Sequence, residues 1–130
     1  MVRSPFFLTV FITGCIASLV LLLIPTYMWP FNLSALFEKY RWLDDVAHSS
    51  LFFSMFMGIQ LSVYLSRRKT VVALLFFAVG TELAQESMAN DRMASMSDVY
   101  ADLSGILAGL FIVSMLYRAG KAGFAVCHQR

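Results

Sequence analysis

Three pairs of residues stand out for their chemistry. Asp44 and His48 are four apart, Glu82 and Gln85 three apart, and Asp98 and Asp102 four apart. On a helix these spacings place both members of a pair on one face, one above the other. A histidine among several carboxylates is the set that moves protons or holds a divalent metal. His48 is the candidate base or metal ligand, Glu82 the candidate general acid or base or a ligand, and Asp98 and Asp102 further candidate metal ligands. Arg92 is placed to pair with an acid or to hold a phosphate. There is no HExxH motif and no nucleophile elbow. Ser49, Ser50 and Ser54 neighbour His48 in sequence, but residues of one helix do not make a triad. Taken singly, several of these residues read more plainly. Asp98 suits a helix N-terminus, His48 a structural hydrogen bond, and Glu38, Asp45, Glu86 and Asp91 a solvated surface.

The elements that must position these groups are apolar. Of the 130 residues, 59% are hydrophobic and 14% charged, against about a quarter charged in a soluble domain. Mean hydropathy is +0.72. So small a soluble core could not hide this much apolar surface, which predicts lipid as the solvent. A net charge of +2 with no long basic tract argues against nucleic acid as a partner. Cys15 and Cys127 share no framework or CxxC spacing, so no disulfide or redox site is implied.

Four apolar stretches, 6–24, 46–65, 70–88 and 99–117, are each long enough for a transmembrane helix. The alternation of a barrel strand is missing, which predicts an all-α membrane domain. Between the first two spans, Leu33, Leu36, Phe37, Tyr40 and Leu43 recur at helical spacing, with Glu38, Lys39 and Arg41 interleaved. This predicts a short interfacial amphipathic helix, flanked by Trp29 and Trp42. Ile12-Thr13-Gly14-Cys15 is similar to a lipoprotein cleavage box, but the sequence stays apolar through Ile24, as a retained span requires.

Four spans put the two ends and the Arg67-Arg68-Lys69 turn on one side. That side collects Arg3, Arg67, Arg68, Lys69, Arg118, Lys121 and Arg130; the other has only Lys39, Arg41 and Arg92. The positive-inside rule then makes both termini cytoplasmic. All eight acids fall toward the outer side, so three helix ends deliver polar groups to one layer. Gly105 and Gly109 continue the stripe of Asp98 and Asp102, marking the face on which another helix packs closely. The expected product is a polar pocket open to the outer leaflet, with Glu82 its deepest acid.

In order and spacing these positions resemble the VanZ-like family of bacterial membrane proteins. That family's pattern is Asp-x-x-x-His, then Glu-x-x-Gln, then an Arg and an Asp, then Asn-x-x-Gly-x-x-x-Gly. Here the positions are Asp44, His48, Glu82, Gln85, Arg92, Asp98, Asp102, Gly105 and Gly109, about half the chain. Asp102 departs from the usual Asn, exchanging a donor-acceptor amide for a group that only accepts when ionised. The resemblance implies a bacterial cytoplasmic membrane location and a link to low-level teicoplanin resistance.

Three functions fit the residues. The first is a cell-envelope protein binding a lipid headgroup or cell-wall precursor through Asp44, His48, Glu82, Gln85, Arg92, Asp98 and Asp102. The second is an intramembrane enzyme acting on an envelope lipid by acid-base chemistry or with a divalent metal. The third is a small carrier, which the one-sided acids and the lack of an inverted repeat disfavour. The sequence does not fix the oligomeric state.

Overall fold

The computed structural model describes residues 5–23, 40, 42–88 and 96–127. Among these residues every regular element is a helix: α1 Pro5–Leu23, α2 Trp42–Ser62, α3 Arg67–Met88 and α4 Met96–Cys127. Of the predicted interfacial helix, Tyr40 is described and lies outside any helix, Trp42 and Leu43 belong to α2, and the other residues lie outside the described residues, as does Arg92.

The helix ends follow from local chemistry. Pro5 opens α1, where its missing N–H is no loss. Asp44 and Asp45 lie in the first turn of α2, where the helix dipole favours them. This helix therefore starts four residues before the apolar stretch does. Ser66 caps α3: its carbonyl accepts from the Thr70 N–H at 3.0 Å, and its hydroxyl from the Lys69 N–H at 3.5 Å. α4 runs to Cys127, ten residues past the predicted end at 117, through a tail that has no proline to stop it.

Residues 63–66 form a short turn, so α2 and α3 lie antiparallel. α4 returns parallel to α2, and the α2–α4 interface is the most extensive in the protein. Its register is set by contacts at successive levels: Asp45 with Ser97, Ser49 with Ser104, and Phe56 with Gly109. The closest approach is at Gly105. A Cβ there would overlap the carbonyl oxygen of Ser49 and come within 2.9 Å of the Phe53 nitrogen.

Phe52, Met55, Phe56, Leu74, Ala78 and Ile106 form the buried core, with Phe11 and Cys15 of α1 packed against it. At the end away from the acids, Gln60 donates to Thr70 Oγ1 at 2.7 Å, and Arg67 donates to Ser114 Oγ at 3.0 Å and lies over the Tyr117 ring. Arg67–Ser87 and Met96–Ala119 are long and apolar enough to cross a membrane. Only 33% and 28% of their apolar windows is buried inside the protein, so most of that apolar surface faces outward. Phe76, Leu83, Phe111 and Leu116 are among these outward side chains. α1, 19 residues long, carries no charge along its length.

Candidate functional site

The first turns of α2 and α4 and the last turns of α3 meet at one end of the bundle. Gly105 lets α2 and α4 approach until their backbones touch. One turn nearer the end, His48 on α2 faces Asp102 on α4. Their Nδ1 and Oδ1 atoms are 2.9 Å apart, and both side chains are fully buried. An ionised carboxylate only accepts, so Nδ1 carries the proton of this bond. The other ring nitrogen, Nε2, and the second oxygen, Asp102 Oδ2, are buried without a hydrogen-bond partner among the described residues.

Two sets of ligating atoms share His48. In one, Asp44, His48 and Asp98 offer atoms within 4.8 Å of one another; in the other, His48, Glu82 and Asp102 do so. The second set is buried throughout, whereas Asp44 and Asp98 are half-buried at the rim. Gln85 is buried on α3, three residues from Glu82, with buried Thr81 beside it donating to the Ala78 carbonyl at 2.8 Å. Glu86 is exposed. The set has far more acid than base, so its field attracts cations.

The structure thus brings Asp44, His48, Glu82, Asp98 and Asp102 together, with Gln85 on the same helix end as Glu82. Arg92 lies outside the described residues. Gly105 and Gly109 sit against α2, on Ser49 and Phe56 respectively. Spacing alone misses three contributors. Asp45, which reads as a solvated acid, is half-buried and accepts from Ser97 Oγ at 2.9 Å. Ser49 and Ser104 share a 2.9 Å hydrogen bond beside the Gly105 contact. The only sequence signal for that pair is that small polar residues flank the glycine stripe.

No family model, curated protein or solved structure matches the chain.

Proposed function

We propose that this chain is a VanZ-like integral membrane protein of the bacterial cytoplasmic membrane. In this reading it crosses the bilayer four times with both termini cytoplasmic. Its polar centre faces the outer leaflet and binds a lipid headgroup or a cell-wall precursor lipid. One observation carries the reading: a fully buried His48–Asp102 pair, with Glu82 buried beside it, at one end of a bundle whose middle is an apolar core. Ionisable groups at membrane depth are costly and ordinarily serve a ligand or proton path. Two further observations support a lipid solvent. Most of the apolar surface of α3 and α4 points outward, and α4, at about 48 Å for its 32 residues, exceeds a hydrocarbon core of about 30 Å. The length beyond the core carries Arg118 and Lys121, which suits a cytoplasmic end. Resistance to teicoplanin would follow if the bound lipid were the precursor that this antibiotic recognises.

The test is native mass spectrometry of full-length protein extracted gently from membranes. Wild-type protein should retain a phospholipid or an isoprenoid-linked precursor, and Glu82→Gln or Arg92→Ala should release it. The same lipid background in wild type and variants, with helicity unchanged, counts against the reading.

The same pair favours a second reading, an intramembrane enzyme. A histidine fixed by a carboxylate is an oriented acid-base group, and Glu82 is within reach of it. Turnover of a labelled envelope lipid in nanodiscs, lost in His48→Gln, would select this reading over binding alone.

A further inference from the structure

We propose that His48, Asp44 and Asp98 hold a divalent cation, with Asp102 fixing the histidine ring. This deepens the headgroup reading above and rests on it only for the role of the ion. The site itself stands on the geometry of the helix ends.

The orientation of His48 is the first support. Asp102 accepts the Nδ1–H hydrogen bond at 2.9 Å, so the neutral ring presents its lone pair at Nε2. That atom is buried and has no hydrogen-bond partner among the described residues. Leaving a buried polar atom unsatisfied is unfavourable, and a cation removes the deficit. A ring held from behind by a carboxylate, with its other nitrogen free, is the usual state of a metal-ligating histidine.

Oxygen ligands are the second support. Asp44 and Asp98 each bring a carboxylate oxygen within 4.8 Å of the other and of a His48 ring nitrogen. Metal bonds of about 2.0–2.2 Å require donor atoms about 3.3 Å apart, so closing the site takes at most about 1.5 Å of side-chain movement. Each residue stands one helical turn from a member of the His48–Asp102 pair, which fixes its backbone. The alternative set of His48, Glu82 and Asp102 would use an Asp102 carboxylate already engaged by the ring. The Asp44 and Asp98 set leaves that hydrogen bond intact. These two acids are half-buried, which gives an ion a way in.

The donor types limit the ion. One imidazole nitrogen with two carboxylates suits zinc or manganese better than calcium or magnesium, which prefer all-oxygen sites. An ion here also removes a conflict in the headgroup reading. Five carboxylates around one histidine repel a phosphate, whereas a bound divalent cation with an open coordination position would take a phosphate or carboxylate oxygen.

The test uses the full chain in detergent, stripped of metal and carrying Cys127→Ser and His128→Ala so that the tail contributes no ligands. Zinc and, separately, manganese are added, and bound ion is measured by equilibrium dialysis with elemental analysis. Circular dichroism reports the fold. The expected result is one ion per chain. His48→Gln and Asp98→Asn should each weaken binding by at least about 100-fold, more than loss of an outer partner does. Asp102→Asn keeps an acceptor for the Nδ1 proton and should weaken binding by about 10-fold or less. No ion bound to a folded wild-type chain overturns the proposal. So does a loss in Glu82→Gln that Asp98→Asn does not share. Lipid retained by protein that binds no ion overturns the cation site and leaves the headgroup reading standing. An ion bound without lipid supports the site and removes that reading.

Discussion

Replacing Gly105 by alanine tests the contact that brings the site together. The new Cβ overlaps the Ser49 carbonyl oxygen and lies 2.9 Å from the Phe53 nitrogen and 3.0 Å from the Ser49 carbonyl carbon. All three are backbone atoms of α2, so no rotamer change relieves them. The helices must part by about an ångström, and overpacking of this kind costs about 1–3 kcal/mol. Alanine returns about 1 kcal/mol through its better helix propensity. With rigid backbone on the other side, the upper end of the range applies, and the net loss is about 2 kcal/mol. That corresponds to about a 30-fold fall in the folded fraction ratio. Gly80 provides the control. Nothing lies within 4 Å of a Cβ built there, so Gly80→Ala should gain up to about 1 kcal/mol. Reversible unfolding in mixed micelles, followed by circular dichroism, gives both numbers. The Gly105 variant should also stretch the 2.9 Å His48–Asp102 bond toward its breaking length, which the His48 imidazole nitrogen chemical shifts report. A Gly105→Ala protein as stable as wild type, with unchanged His48 shifts, refutes the close approach. Equal damage from Gly80→Ala refutes its assignment to this interface.

Two further experiments probe the packing. Asp102→Leu strands the Nδ1 proton of His48 and should cost about 2 kcal/mol, whereas adding His48→Leu should recover at least about 1 kcal/mol of the summed single losses. Additive losses in that double-mutant cycle would mean the two side chains do not interact. Gln60→Leu removes the donor to Thr70 Oγ1 and to the Leu65 carbonyl, and should cost about 1 kcal/mol. Faster amide exchange confined to residues 63–66 and the start of α3 is the expected signature, and unchanged exchange there excludes a role in closing the turn.

The sequence carries the helices more clearly than their faces. Long apolar runs without alternation admit little but helices; the basic run Arg67-Arg68-Lys69, read from the sequence as the turn between two of them, instead opens α3, and the turn lies at 63–66. Faces are harder to read. In a soluble helix the apolar stripe points inward, but α3 and α4 are apolar all round, with Phe76 and Phe111 outside and Leu74 and Ile106 inside. Glycines and polar residues carry the facing information instead. Gly105 and Gly109 mark the packed stripe of α4, yet spacing does not reveal that one meets backbone and the other the Phe56 side chain. The crossing geometry of two helices decides that, and it decides the partner of His48 as well. Asp98 and Asp102 share a face and differ by one turn, and only the register of α2 against α4 selects Asp102. The partner of Asp45 is hidden for the same reason: Ser97 lies 52 residues away.

The register also explains why the site is graded. At Gly105 the backbones of α2 and α4 touch, and one turn outward His48 and Asp102 pair fully buried, with buried Glu82 of α3 beside them. Another turn outward, Asp44 and Asp98 are half-buried, and beyond them Ser97 is exposed. Charge therefore meets falling solvation from rim to floor. Among the described residues, an anion entering this path meets carboxylates at every level before it reaches His48. A cation meets oxygen atoms first and the unsatisfied nitrogen last, and the attraction grows as solvent is lost. The same glycine contact that fixes the floor also holds α2 and α4 at the spacing the proposed cation site requires. Widening it at Gly105 should weaken cation binding even though residue 105 offers no ligand.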